Sequence, residues 1–330
     1  MKHRMSNLLF SLNIVLPMII LIALGYLFRY FAFVSDEFVQ IGKKLCFYVF
    51  LPCNLFKNLY DSALDDVPYG LIFFALLWVL IIFVLSFLIT RKVPSNKRGV
   101  MIQGMIRSNY AYIGIPLASQ MFVDEVLIGR ATTYVSLLSI FILPLFSVLS
   151  VVALSMFGED SNRTSIKATI KNTIRNPIII GIILGVMVLF IRELIPDSAY
   201  FLQDKLAFVY KALSYLSQLA TPFSLLMVGA DLHFDFAKDL KNVMTAIAFK
   251  MVIYPALILF VAYKLKSFDG PMMATLVSAF ASPTAVSSAI MASQMKGDGD
   301  LANSIVVFST IFSSISLIMI IFVLKSVGCI

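Results

Sequence analysis

The chain has 330 residues, of which 60% are hydrophobic and 13% are charged, and its formal net charge is +8. A soluble globular domain has about 45–50% apolar and ~25% charged residues, so this composition indicates an integral membrane protein with very little soluble mass. In such a chain an excess of Lys and Arg is typical of cytoplasmic loops, so the charge gives no support to nucleic-acid binding. The three cysteines and two histidines predict no disulfide framework, no metal site and no cofactor.

Apolar runs of about 20 residues recur along the chain, and each is long enough to cross a bilayer as a helix. We predict an all-α membrane protein with about ten spans. They cover Leu8–Phe31, Gln40–Leu59, Pro68–Ile89, Arg98–Phe122, Val126–Met156, Arg175–Ile195, Phe208–Leu232, Leu240–Lys264, Gly270–Met295 and Leu301–Leu324. The longest hydrophilic connection, Gly158–Lys171, lies near the middle of the chain.

Proline and glycine positions in the first five spans recur about 160–170 residues later. The pairs are Pro17 with Pro177, Gly25 with Gly185, Pro52 with Pro222, and Pro116 with Pro283. Because five is an odd number, the second half must enter the membrane in the opposite sense, which predicts an inverted repeat with a binding site between its halves. The predicted repeats are residues 1–157 and 175–330, joined by a cytoplasmic linker at 158–174.

Two of the predicted spans contain helix breakers. Gly104–Gln120 reads GMIRSNYAYIGIPLASQ, and Ala279–Ser288 reads AFASPTAVSS. Pro116 lacks an N–H group and disfavours the helical conformation of Ile115. In hydrocarbon a broken helix is tolerated only where it is buried or lines a cavity, so we predict two discontinuous helices of the kind that bind substrate in secondary transporters. The predicted hinges are Gly114, Pro116 and Pro283.

The polar residues of these spans suit a ligand that carries a carboxylate. Broken helices present N–H groups and a positive dipole end, which attract anions. The Asn109 amide can donate and accept hydrogen bonds, and the planar guanidinium of Arg107 can bind a carboxylate bidentately. The candidate substrate-binding residues are Asn109, Arg107, Ile115, Pro116, Asn54, Ser282, Pro283, Thr284 and Ser287. The structural alternatives are that Arg107 extends to lipid headgroups, that Asn109 caps a helix, and that Ser287 allows close packing.

An enzyme is the alternative from another class. Gly297–Asp300 reads GDGD and fits the GxGD pattern of intramembrane aspartyl proteases, and Tyr60–Asp61 fits their YD partner. Two carboxylates in contact can share a proton and activate water. The ten-span topology places Asp61 and Asp300 on opposite sides of the membrane, and GDGD is also an ordinary tight turn, so we predict that the protein is not an enzyme.

Five segments, spread over nearly the whole chain in order, resemble the auxin efflux carrier family, whose bacterial members include proteins assigned as malonate and other organic-acid permeases. They are LPCNLF (Leu51–Phe56), NYAYIGIPLA (Asn109–Ala118), IRNP (Ile174–Pro177), SPTAVSS (Ser282–Ser288) and GDGDLANSIVVFSTIFS (Gly297–Ser313). The short Gly158–Lys171 loop resembles the compact prokaryotic type.

The resemblance implies two inverted five-helix repeats in which spans four and nine cross at their breaks, as in sodium/proton antiporters and bile-acid symporters. Spans one, two, six and seven would form a scaffold, and spans three to five and eight to ten a transport group that moves like an elevator. Asn109, with the Pro116 and Pro283 crossover, would hold the carboxylate of a small organic anion such as malonate, malate or an auxin-like acid.

The distribution of Lys and Arg favours both termini on the outside of a plasma or inner cell membrane. The expected partners are the lipid bilayer and the organic anion, and H⁺ coupling, Na⁺ coupling and a homodimer stay open. A sodium-coupled bile-acid-type symporter and a non-transporting membrane sensor are the remaining alternatives.

Overall fold

The computed structural model describes residues 16–17, 19–61, 68–110, 114, 117–118, 121–157, 175–194, 201–231 and 239–330. The prediction of an all-helical protein is confirmed, since these residues form helices, turns and one isolated β-bridge but no strand. In the first half the helices are α1 (Ile19–Tyr30), α2 (Asp36–Leu45), α3 (Leu51–Tyr60), α4 (Tyr69–Ile89), α5 (Ser95–Ile106) and α6 (Glu125–Phe157). In the second half they are α7 (Pro177–Leu194), α8 (Phe201–Asp204), α9 (Ala207–Ala230), α10 (Leu240–Ala248), α11 (Tyr254–Leu265), α12 (Gly270–Phe280), α13 (Ser287–Gln294) and α14 (Gly299–Ser326).

All ten predicted segments contain helix, although not all of their helices are long. Within the described ranges, four helices are long and apolar enough to cross a bilayer: Tyr69–Lys92, Glu125–Phe157, Ala207–Ala230 and Leu240–Leu265. A fifth span results if Gly299–Ser313 and Ile315–Ser326, which are bent by 42°, are taken together. Large apolar side chains such as Phe73, Phe190 and Ile315 point outward and are more than half exposed. The chain is therefore a multi-pass membrane protein, since lipid covers such an apolar surface favourably and water does not.

Helix starts and joints follow from local sequence. Ser35, Asp269 and Asp298 cap α2, α12 and α14 by accepting hydrogen bonds from backbone N–H groups of the first turn. Two π-helical turns, Cys46–Phe50 and Phe249–Ile253, join α2 to α3 and α10 to α11. A proline follows each turn, at Pro52 and Pro255, and the wider turn accommodates its missing N–H and its bulky ring. Both spans therefore stay continuous.

Two pairs of helices cross at glycines. A Cβ on Gly25 would lie 2.1 Å from the carbonyl oxygen of Leu226, so α1 and α9 are in backbone contact. A Cβ on Gly185 would lie 2.8 Å from the Leu59 side chain, so α7 also packs closely on α3. Gly25 and Gly185 form one of the pairs from which the repeat was predicted. Gly25 is on α1, which packs on α9, the second span of the second half. Gly185 is on α7, which packs on α3, the second span of the first half.

Polar contacts at the helix ends define two ends of the helical bundle. At one end Lys43 forms an ion pair with Asp231, which also accepts a hydrogen bond from Asn303 at 2.7 Å. At the other end Arg130 contacts Asp269 at 2.6 Å, and the Tyr210 hydroxyl donates to Asp61 at 3.0 Å. Since Tyr210 lies in the first turn of α9 and Asp231 follows its last residue, the two ends are about 30 Å apart at 1.5 Å per residue.

Candidate functional site

Each of the two stretches predicted to be discontinuous contains a break, and the two breaks lie against each other in the structure. Helix α5 ends at Ile106, and Arg107 has an extended backbone with φ −77° and ψ 123°. Ser108 forms an antiparallel bridge with Thr284, and the Asn109 N–H donates to the Pro283 carbonyl at 2.8 Å. Backbone groups that each break frees from its own helix are thus paired across the crossing, as the interior of a membrane protein requires.

Span four has a break before the predicted hinges Gly114 and Pro116. It lies at Arg107–Asn109, whereas Gly114, a predicted hinge, is helical and buried. A Cβ on Gly114 would come within 3.2 Å of the Tyr110 ring, so this glycine makes room for an aromatic side chain. Ile115 and Pro116 lie outside the described residues.

Two predicted ligand residues use their hydroxyls to stabilise the crossing. The Thr284 hydroxyl donates to the Gly104 carbonyl at 2.8 Å, which pairs an acceptor that the end of α5 leaves free. The Ser282 hydroxyl donates to the Ser278 carbonyl at 2.6 Å. Ser282, Pro283 and Thr284 do not line the cavity beside the crossing. Their observed role is structural.

The crossing borders a cavity of about 60 Å³. It is lined by Leu51, Asn54, Leu55, Arg107, Ser108, Asn109, Ala220, Thr221, Ala285, Val286 and Ser287. Four candidate residues, Asn54, Arg107, Asn109 and Ser287, therefore come together from three separate helical regions. Since a water molecule needs about 10–15 Å³ of such a volume, the cavity in this conformation has room for a few waters or a small polar group.

Arg107 supplies the positive charge of the cavity. Its side chain is 6% exposed and contacts the Met291 sulfur. None of the ion pairs among the described residues includes it. An unpaired buried charge costs several kcal/mol, so a bound anion would stabilise this arrangement. The burial of Arg107 is inconsistent with a side chain that extends to lipid headgroups.

The remaining polar groups surround the same space. Helix α13 begins at Ser287, so its positive dipole end faces the cavity lining. Asn54 donates its amide to Ser217, at 3.1 Å from the hydroxyl and 3.3 Å from the carbonyl, and thereby joins α3 to α9. The Ser108 hydroxyl is buried and has no hydrogen-bond partner within the described part of the chain. The lining contains no carboxylate, so the site is suited to an anion.

A comparison with protein families matches residues 10–321 to a family described as membrane transport protein. The match covers nearly the whole chain. The chain belongs to this membrane transport protein family. At the level of the family, the resemblance to the auxin efflux carriers is confirmed. A search of curated proteins found no significant match.

The family is one of transporters, and the geometry of this membrane transport protein also argues against the protease alternative. Asp61 pairs with Lys57 and Tyr210 at the start of α9. Asp300 lies one turn before Asn303, which bonds to Asp231 beyond the other end of α9. The two carboxylates are thus separated by about 30 Å along that helix and cannot share a proton.

Sequence reasoning missed three residues of the site. Thr221 lines the cavity, Ser217 anchors Asn54, and Met291 contacts Arg107. A signal existed for Met291, because it follows Ser287 by four residues and therefore lies on the same face of α13. Ser217 and Thr221 both precede Pro222, one of the positions from which the repeat was predicted, but nothing in their local sequence distinguishes them from packing residues.

Proposed function

We propose that the protein is a secondary transporter that carries a small organic anion by alternating access at the crossed breaks of spans four and nine. The observation that carries this proposal is Arg107, a buried cation with no carboxylate partner among the described residues, at a cavity where two broken helices meet. Carboxylates such as malonate, malate or an auxin-like acid have the charge and the planar geometry that a guanidinium binds.

The position of the cavity supports an elevator-type movement. One wall comes from α3 and α9, in the predicted scaffold, and the other from the breaks after α5 and before α13, in the predicted transport group. A site between two groups is exposed to one side and then to the other when one group slides. The matched crossings of α1 with α9 and α7 with α3 support a scaffold with two-fold symmetry, and hence the division into repeats 1–157 and 175–330.

Asn109 is the residue best placed to orient the carboxylate. Its backbone is fixed by the bond to Pro283, and its side chain lies at the cavity beside Arg107 and Ser108. An amide held in this way supplies directional hydrogen bonds without a change in charge. Together with the start of α13, it gives the site a neutral donor set next to the Arg107 cation.

Uptake by proteoliposomes tests the proposal. Purified protein would be reconstituted, and malonate, malate, succinate and indole-3-acetate offered in turn, each with and without imposed Na⁺ and pH gradients. We expect saturable uptake of at least one anion by the wild type. The Asn109→Ala variant is expected to keep its thermal stability and to show greatly reduced uptake. The gradients show whether Na⁺, H⁺ or neither drives uptake. Undiminished transport by Asn109→Ala would refute the assigned site, and no uptake of any organic anion would refute the function.

A further inference from the structure

Two side-chain donors converge on one methionine beside the cavity. The Arg107 guanidinium contacts the Met291 sulfur, and the Gln103 amide nitrogen lies 3.6 Å from the same atom. Met291 is completely buried on α13, one turn beyond Ser287, which lines the cavity. The only acceptor seen for the guanidinium among the described side chains is therefore a thioether.

A thioether is an unusual partner for a buried cation. Its sulfur is a weak acceptor without charge, whereas a carboxylate forms charge-assisted bonds about twice as strong as neutral ones. A Glu at position 291 would neutralise Arg107 permanently, and a Gln would offer a carbonyl that competes with a ligand. A Leu would offer no acceptor at all. Met291 is the residue type that contacts the guanidinium and leaves its charge uncompensated.

We propose that Met291 is a specificity-determining residue that acts through Arg107, by keeping the guanidinium available to a carboxylate of the substrate. This inference rests on the proposed transport function. It assigns one carboxylate of a dianion to Arg107 and the other to the Asn109 side of the cavity. The second carboxylate of a dianion therefore gains binding affinity from Arg107, which a monoanion gains to a lesser extent. Because Met291 leaves the guanidinium available, it sets the preference for dianions over monoanions.

Arg107 and Met291 both belong to the crossing, since the segment after α5 is bridged to the segment before α13. The pair stays together when the crossing moves relative to α3 and α9. The guanidinium is therefore held for the substrate in both orientations of the site.

The test compares variants at position 291 in the proteoliposome assay with two substrates of similar size. These are malonate, a dianion, and monomethyl malonate, a monoanion. Met291→Gln is expected to raise the KM for malonate at least tenfold and that for monomethyl malonate by less than threefold, with the maximal rate nearly unchanged. Met291→Leu, which offers the guanidinium no acceptor, is expected to keep the ratio of the two KM values within about threefold of the wild-type ratio. Met291→Glu, in which Arg107 acquires a carboxylate partner, is expected to abolish the preference for malonate and covers the case in which the Gln variant does not fold.

Met295→Gln is the matched control. Met295 lies four residues further on, and its sulfur is 3.6 Å from the Asn176 amide nitrogen, a neutral donor. This variant should leave the malonate to monomethyl malonate ratio unchanged. If Met291 has only a structural role, its variants should lower transport of both substrates equally. That result, obtained while the wild type is active, would overturn this inference and would leave the proposed function unaffected. A wild type that carries neither substrate nor any other organic anion would instead refute the proposed function, and this inference with it.

Discussion

The buried ion pair between Lys43 and Asp231 makes a sharp prediction about stability. Lys43 is 2% exposed and Asp231 15%, and the Lys43 ammonium also lies 3.4 Å from the Ser293 hydroxyl. Asp231 accepts two bonds from Asn303, at 2.7 Å from its carboxylate and 3.3 Å from its carbonyl. This network joins α2 and α9 to α13 and α14, so both predicted helix groups depend on it at this end.

Asp231→Ala leaves the Lys43 ammonium buried without its counter-ion. Removing one partner of a buried pair typically costs about 3–5 kcal/mol, whereas replacing both partners by apolar residues is often neutral. We expect the free energy of unfolding to fall by about 3–5 kcal/mol in Asp231→Ala and to recover most of that loss in the double variant Lys43→Met/Asp231→Leu. Unfolding by SDS in mixed micelles, followed by circular dichroism, measures both.

The size of the decrease in the free energy of unfolding shows whether the buried network between Lys43, Asp231 and Asn303 is present. A decrease below about 1 kcal/mol in Asp231→Ala would show that the Lys43 ammonium finds water or another acceptor, and the buried network would be refuted. A double variant as unstable as the single one would show that the hydrogen bonds to Asn303, rather than the charges, stabilise this end.

Three further predictions concern single side chains. Thr284→Val leaves the Gly104 carbonyl without its donor and should lower the free energy of unfolding by about 1–3 kcal/mol. Thr284→Ser keeps the hydroxyl and should retain most of the wild-type stability. Equal losses in the two variants would contradict the assigned hydrogen bond. Gly229→Ala places a Cβ 1.9 Å from the Ile22 carbonyl oxygen and should destabilise by about 1–3 kcal/mol, while Gly129→Ala, with nothing within 4 Å, serves as the neutral control in the same unfolding assay. Lys250→Met removes a fully buried ammonium that has no hydrogen-bond acceptor among the described residues and lies 5.0 Å from the Tyr254 ring centroid. The variant should be as stable as the wild type or more so, because the lost cation–π contact of about 2 kcal/mol is smaller than the cost of burying the charge; a clear loss of stability would contradict this.

The resemblance to the auxin efflux carriers implied that spans four and nine cross at their breaks. The local sequence predicted the helical class and the two broken spans. These features rest on strong local signals, namely long apolar runs and the polar and proline residues of AFASPTAVSS and GMIRSNYAYIGIPLASQ. The local signals at Gly114 and Pro116 did not point to the break that the structure shows at Arg107–Asn109. Arg107–Asn109 leaves the helix where Pro283 and Thr284 offer backbone partners, and that tertiary contact has no counterpart in the local sequence.

The site was predicted in part for the same reason. Arg107 and Asn109 were identifiable because charged and amide side chains are rare inside a span and need a partner or a cavity. Thr284 and Ser282 were expected at the ligand, but their hydroxyls pair with free backbone carbonyls, which in a membrane must be satisfied within the protein. Which hydroxyls remain for a ligand is decided by packing, and the sequence alone does not contain that information.

The most direct test of the account is malonate counterflow by the wild type and by Arg107→Ala, in proteoliposomes that contain equal amounts of folded protein. The account predicts saturable counterflow by the wild type and a loss in Arg107→Ala that is much larger for malonate than for monomethyl malonate. Equal losses for the two anions would show that Arg107 acts only in the structure. Unchanged counterflow of malonate would contradict the assignment of the cavity as the anion site.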